Sequence, residues 1–295
     1  MLKLFSKHHK KDKINLVEKA LKNPSPQRAI STRATFDFDG LKNFLEKNYH
    51  FSDIKPVISY VYNVFLTATA PIKIAGRTTW RPVFIKTGRH PGLYENEFIM
   101  GRELYDANPK YFLEPICFND YGQYNFFANE YANGETLESA FARGKPSVKR
   151  RAEIIKDIYH IFLEMRSSDV VHRDIRPANI MLLTDGRTVL IDFQLAVSKS
   201  NYIELAYCHQ RPSLLRNLGG NGFRYKNFVW DDAYSLMRVL EFVGRDASYG
   251  ALYDTVHRRI KSHIGRDSIK SSVRESGLHR MARHIRKQIS IDKKI

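Results

Sequence analysis

The sequence predicts an α+β fold, and three observations carry that prediction. Val57–Lys86 is dense in Val, Ile, Tyr, Phe and Thr, residues that suit a pleated, half-buried strand, and Gly76–Arg77 interrupts it as a hairpin would. Ile154, Ile155, Ile158, Ile161, Phe162 and Met165 recur at helical spacing with charges between them, the pattern of an amphipathic helix. Met181–Leu183, Asp185–Gly186 and Thr188–Ile191 then spell strand, tight turn, strand. A chain of 295 residues, 43% hydrophobic and 12% aromatic, is long enough for one large domain or two lobes. That composition excludes a disordered polyelectrolyte, a collagen-like chain and a coiled coil.

The remaining elements follow in order. Ile14–Leu21 predicts a short helix, Pro24 and Pro26 a loop, and Leu41–Tyr49 a second helix entered from the Asp37–Gly40 turn. The longest uncharged run, between Lys55 and Lys73, contains Ser59, Tyr60, Tyr62, Asn63 and two prolines, so strands and a turn are expected there, not a membrane-spanning helix. Tyr94–Tyr105 predicts a helix, and Phe126–Tyr131 a strand stopped by Asn133–Gly134. Residues 197–229 show little periodicity and predict a long ordered loop. Helices are expected again at Asp231–Val243 and Leu278–Ile289.

Charge is concentrated at the ends. The net charge is +17, of which residues 1–13 supply +4 and residues 255–295 supply +9. An anionic partner is expected. Leu278, Met281, Ala282, Ile285 and Ile289 line one face of a basic helix, which suits an anionic membrane surface, with Lys3–Lys13 as a second attachment. A helix packed on the core with a solvated basic face has the same pattern. Nucleic acid is not expected, because no zinc-finger, RRM or aromatic-interleaved basic motif accompanies the charge. Cys117 and Cys208 are too few for a disulfide framework or a cysteine zinc site, which points to a reducing compartment. The start, MLKLFSKHHKKDK, lacks a secretory signal pattern. The expected location is cytoplasmic, or peripheral on the inner face of the cell membrane.

The stretch that carries chemistry is Val171–His172–Arg173–Asp174–Ile175–Arg176–Pro177–Ala178–Asn179–Ile180. It resembles the catalytic loop of the protein-kinase fold, in which Asn follows five residues after the Asp of H-R-D. The resemblance implies transfer of the ATP γ-phosphate to a hydroxyl, with Mg²⁺. Asp174 would orient the acceptor or take its proton, Asn179 would offer a carbonyl oxygen to the metal, and Arg176 would direct charge toward the transferring group. His172 and Arg173 read as structural supports. Leu190–Ile191–Asp192–Phe193–Gln194 resembles D-F-G with Gln194 in place of glycine, making Asp192 the second metal ligand.

Val83–Phe84–Ile85–Lys86 is similar to the strand whose lysine grips the α/β-phosphates, with Glu97 as its carboxylate partner and Glu95 and Glu103 as rivals on the same helix. Phe127–Gly134 resembles the hinge, where adenine pairs with backbone groups of Glu130 and Ala132. Trp230–Leu236 looks like the helix that anchors the catalytic loop, with Asp232 accepting its backbone hydrogen bonds. The implied architecture is a two-lobed protein-kinase-like fold. Residues 1–55 form a basic N-terminal helical extension, 56–132 a small antiparallel-sheet N-lobe, and 133–295 a shortened helical C-lobe.

The departures from the pattern narrow the expectation. No G-x-G-x-x-G occurs between Val57 and Lys86, so the phosphate cover is assigned to a turn at Thr67–Ala70 or its surroundings. No A-P-E precedes Trp230, and only 63 residues follow Asp232. The layout, the Ile191–Ala196 run and the basic C-terminus are most similar to bacterial lipopolysaccharide kinases, which implies a sugar or glycolipid acceptor. A Ser/Thr or Tyr protein kinase and a non-catalytic kinase-like binding module remain as alternatives.

Overall fold

The computed structural model describes residues 37–59, 63–74, 76–88, 92–200, 229–266 and 268–270. The helices expected at Ile14–Leu21 and Leu278–Ile289 lie outside these residues, as does the segment 201–228.

Asp37 caps the first helix, α1 (Phe38–Tyr49), accepting the Gly40 N–H at 2.9 Å. It also accepts the Tyr124 hydroxyl at 2.5 Å, which pins the helix entry to the small sheet. Leu41 and Leu45, one turn apart, are the buried face of α1. Five antiparallel strands follow: β1 (Ser52–Ser59), β2 (Asn63–Ile74), β3 (Arg77–Gly88), β4 (Pro115–Asn119) and β5 (Phe126–Glu130), in spatial order β1-β2-β3-β5-β4. A boundary at residue 55 falls inside β1, and α1 packs its leucines into the core of the same sheet, so residues 38–55 are integral to the small lobe.

The two-residue period of the strands decides what faces where. Val64, Leu66, Ala68, Ala70, Val83, Ile85, Phe126 and Ala128 join Leu41 and Leu45 in one core. The opposite face presents Phe84 and Lys86 from β3 and Phe127 and Asn129 from β5, and these line a cleft. Phe84 pairs across the ladder with Asn129, and Lys86 with Phe127. Helix α2 (Leu93–Ala107) packs on β4 and brings Glu97 to the cleft side of the sheet.

The larger lobe is built on the predicted amphipathic helix, α4 (Val148–Ser167), which follows the short α3 (Leu137–Arg143). Its isoleucines, Phe162 and Met165 pack with Leu236, Val239, Leu240 and Val243 of α5 (Asp232–Val243) and Val256 and Ile260 of α6 (Gly250–Lys261). Burying each such aliphatic side chain is worth about 1.5–3 kcal/mol, so this face, more than helix propensity, holds the lobe together. Under the cleft lies a three-stranded sheet, β6 (Gly134–Thr136), β8 (Ile180–Leu183) and β9 (Thr188–Leu190). Gly134 is required by close approach: a Cβ there would sit 2.3 Å from the Leu182 carbonyl oxygen. Two short pairs complete the lobe, β7 (Val170–Val171) with β10 (Val197–Ser198), and β11 (Val229–Trp230) with β12 (Ile269–Lys270). Among the described residues no helix is long and apolar enough to cross a membrane.

Candidate active site

A cleft of about 890 Å³ separates the five-stranded sheet from β6, β8 and β9. That is within the range of sites that enclose a small molecule. Its walls are apolar near the β5–β6 connection, with Phe84 above and Met181 and Leu183 below, and charged at the far end, with Lys86, Glu97 and Asp192.

The charged end is an ion-paired trio. Lys86 Nζ donates to Glu97 Oε1 at 2.5 Å and to Asp192 Oδ1 at 2.9 Å. Of the three candidate partners for Lys86, Glu97 is thus the one in contact; α2 buries it while leaving Glu95 and Glu103 off the trio. Burial disfavours each charge, and the outcome differs for each member. For Lys86 the two carboxylates outweigh burial and hold its pKa above the ordinary value. For Asp192, burial is likewise outweighed, chiefly by Lys86, and the carboxyl stays below the usual range. For Glu97, burial wins over Lys86, with Asp192 adding repulsion, and the carboxyl is pushed up to about 7.

The catalytic-loop residues meet beside this trio. Asn179 Nδ2 donates to the Asp174 carbonyl at 2.8 Å and to Asp174 Oδ2 at 3.1 Å, so the amide is oriented and its Oδ1 end is left for another partner. Arg176 Nη2 lies 3.3 Å from Asp174 Oδ2. The two predicted supports are fully buried. His172 accepts the Asp174 N–H at Nδ1, which puts the ring proton on Nε2, where it meets the Ile191 carbonyl at 3.0 Å. Burial drives the His172 pKa down to about 4, so the ring is neutral. Asp232 accepts the backbone N–H of His172 at 2.6 Å and of Arg173 at 3.1 Å, the anchoring expected of it.

Backbone strain is stored at two places in the site. Arg173 (φ 68°) and Asp192 (φ 75°) occupy the left-handed region without being glycine. Such residues cost about 1–3 kcal/mol each and persist where surrounding bonds over-determine them. The Asp232 carboxylate supplies that restraint at Arg173. Gln194 is not among the residues with positive φ: the strained position of this run is Asp192, and the left-handed freedom of glycine is not used two residues later.

Glu130 and Ala132 both line the apolar end of the cleft. The Glu130 carboxylate is engaged elsewhere, bound by Arg187 Nη2 at 2.6 Å, while the Tyr131 N–H donates to the Pro82 carbonyl and fixes the connection to β3. Thr67–Ala70 does not form a turn. These residues lie mid-strand in β2, paired with Arg81–Phe84, because the alternation that buries Ala68 and Ala70 continues through them. The β1–β2 connection is instead at residues 60–62, outside the described residues.

Sequence reasoning also missed Asn96. Its Nδ2 donates to the carbonyls of Phe193 (3.3 Å), Gln194 (3.0 Å) and Ala196 (2.9 Å), and only its position beside Glu97 could have drawn attention to it. Asp192 and Asn179 Oδ1 are hard oxygen donors of the kind that Mg²⁺ takes. Among the described residues no group of three or more His, Cys, Asp or Glu is disposed to hold a metal alone. The donors fit a cation that draws its remaining ligands from phosphates and water.

Known proteins show the same likeness. Residues 102–216 match the ABC1 atypical kinase-like domain, less than half of the chain but including the catalytic loop and Asp192. The chain is 31% identical over 124 residues to mitogen-activated protein kinase kinase 7 of Arabidopsis thaliana, covering 39% of this chain and 38% of that one. It is 30% identical over 127 residues to serine/threonine-protein kinase PrkC of Bacillus subtilis (41% and 20%). With the probable serine/threonine-protein kinase mkcF of Dictyostelium discoideum it shares 28% identity over 129 residues (41% and 18%). The chain therefore spans well under two thirds of the length of each of these relatives. Sheet, catalytic loop and likenesses agree on one architecture: the chain has a protein-kinase-like α+β fold, with a small antiparallel-sheet lobe and a helical lobe.

Proposed function

We propose that the chain transfers the γ-phosphoryl group of ATP to a hydroxyl, and that the acceptor is a serine or threonine side chain of a protein. The observation that carries this reading is the meeting of Lys86, Glu97 and Asp192 in one ion-paired group beside the Asp174–Asn179 loop, in a cleft whose other end is apolar. Phosphoryl transfer asks the protein for positioning and charge more than covalent chemistry.

In this reading, the base lies between Phe84 and Leu183 against the backbone of Glu130 and Ala132. Lys86 places a point charge on the phosphates, and Glu97 fixes where that charge stands. Asp192 and Asn179 Oδ1 would hold the cation; when bound, Mg²⁺ would neutralise charge that develops on the phosphates. Asp174 orients the acceptor hydroxyl and accepts its proton, with Arg176 and Asn179 holding the carboxylate in place.

The choice of acceptor follows the relatives named above, which are protein kinases by name. None of them is a lipopolysaccharide-sugar kinase, and the glycolipid acceptor expected from the sequence layout draws no support from them.

The test is incubation of the purified chain with γ-labelled ATP, Mg²⁺, a mixed protein acceptor and a glycolipid extract, with Asp174→Ala as control. Label on protein serine or threonine, absent with the variant, is the expected result. Label confined to glycolipid overturns the acceptor. No binding of a fluorescent ATP analogue in the presence of Mg²⁺ overturns the function altogether.

A further inference from the structure

The segment around Asp192 is gripped from two sides. From the large lobe, His172 Nε2 donates to the Ile191 carbonyl at 3.0 Å and Arg173 Nε to the Leu195 carbonyl at 2.6 Å. From the small lobe, the single amide of Asn96 reaches the carbonyls of Phe193, Gln194 and Ala196. Two N–H groups are shared among three acceptors, so the amide nitrogen sits in a cup of carbonyl oxygens that only a donor can occupy. The Phe193 carbonyl also accepts the Ala196 N–H at 3.0 Å, which closes the segment into a turn beneath Asn96.

Asn96 precedes Glu97 on α2, and besides a side-chain contact of Glu97 with Gln194 the helix makes two links to the same segment. One is ionic and indirect, running from Glu97 through Lys86 to Asp192. The other is neutral and direct, through Asn96. Phosphates and a cation entering the cleft draw on Lys86 and Asp192, the middle and end of the ionic link. The neutral link uses backbone carbonyls that take no part in that exchange. It therefore keeps α2 and the Asp192 segment in register while the ionic link is being reused, and it restrains the left-handed backbone at Asp192.

We propose that Asn96 is a positioning residue that sets Asp192 for the divalent cation, acting through the backbone of residues 193–196. The proposal rests on the reading that the cleft takes Mg²⁺ and ATP. Groups that orient metal ligands from behind typically alter metal affinity by about 10–100-fold when removed.

The experiment titrates Mg²⁺ against the full chain at fixed fluorescent ATP analogue and reads the midpoint of nucleotide binding. Asn96→Ala is expected to raise the Mg²⁺ midpoint about tenfold. It should also speed backbone amide exchange across residues 191–196. Leu104→Ala, a core truncation on the same helix that touches none of these carbonyls, lowers the melting temperature but leaves the midpoint within about twofold. Asn96→Ser, which keeps one donor, gives an intermediate midpoint and serves if Asn96→Ala does not fold. An unchanged midpoint in Asn96→Ala or Asn96→Ser overturns the proposal, and so does an equal shift in Leu104→Ala. If the wild-type chain binds nucleotide at no Mg²⁺ concentration, the reading of the cleft falls and this proposal falls with it.

Discussion

Lys86 Nζ lies 2.9 Å from Asp192 Oδ1, a bridge between residues 106 positions apart that ties the sheet of the small lobe to the strained start of the 192–196 segment. With Glu97 included, one cation serves a buried carboxylate and a half-buried one, so the trio is electrically lopsided. The two ends of the bridge should respond oppositely to mutation. Asp192→Asn removes the surplus negative charge, leaves Lys86 paired with Glu97, and puts at φ 75° a residue that tolerates left-handed backbone well. Its stability is expected to match or exceed wild type, while phosphotransfer falls by about a thousandfold with the loss of a charge aimed at the reacting phosphates. Lys86→Met strands two carboxylates together and should cost about 3–5 kcal/mol at pH 8. Urea unfolding of both variants beside a transfer assay tests the pair; equal destabilisation would sink the argument.

Glu97 gives the site a pH dependence. Its carboxyl is pushed up to about 7, chiefly by burial, and the ionised form holds Lys86 more strongly than the neutral one. Activity at limiting nucleotide is therefore expected to fall as pH drops through about 7. Stability contributed by this group runs the other way: with the folded pKa raised, it is fully present below the unfolded value and is lost as pH rises through about 7. In Glu97→Gln the acidic limb should flatten and the plateau should drop. A pH–rate profile of the two proteins checks this, and an unaltered limb in the variant would assign the titration to another group.

The anchoring of the catalytic loop predicts a purely structural phenotype. Asp232 accepts two backbone N–H groups, one of them at Arg173, whose backbone is left-handed. Asp232→Ala leaves both donors buried and unsatisfied, at about 1–3 kcal/mol each. Asp232→Asn keeps one oxygen and should recover part of the loss. Thermal melts should rank the three proteins wild type, Asn, Ala; an Ala variant as stable as wild type would show that the loop holds its shape without this carboxylate.

What was legible in the sequence was what local rules write down. The stripe of Ile154 to Met165 has the period of a helix, and it packs as one. The catalytic loop was readable because Asp174 and Asn179 must share a loop of five steps, and their side chains do meet. Asp37 and Asp231 were readable as helix starts and cap α1 and α5. Long-range geometry was not written in this way. Thr67–Ala70 is expected as a turn only because the missing glycine-rich motif leaves the phosphate cover unassigned; its alanines are instead buried by pairing with β3, a contact no local window contains. Asn96 and the 193–196 carbonyls are about a hundred residues apart, and an asparagine near the start of a helix carries no sign of what it will reach. β4 is short and does not alternate, so only its place beside β5 makes it a strand. Gln194 stands where the pattern has glycine, whereas the backbone stores its strain at Asp192.

His172 makes the fold acid-sensitive in a way that can be isolated. The ring accepts at Nδ1 from Asp174 N–H and meets the Ile191 carbonyl at Nε2, an arrangement that suits only the neutral form. Burial lowers its pKa from 6.5 to about 4. With the folded value depressed, the unfolded chain takes the proton first. Stability is intact above about 6.5 and declines as pH falls toward about 4, at about 1.4 kcal/mol per pH unit, or roughly 3 kcal/mol in all. Glu97 and Asp232 titrate with raised values and act in the opposite direction, so the wild-type curve alone is a sum of opposing slopes. Replacing the imidazole by an amide separates them, because both proteins keep the two carboxyls. His172→Gln should be less stable than wild type at pH 7, and the gap should narrow steadily between pH 6.5 and 4.5. Urea midpoints across that range give the gap directly, and parallel curves would mean that His172 carries a proton in the folded chain.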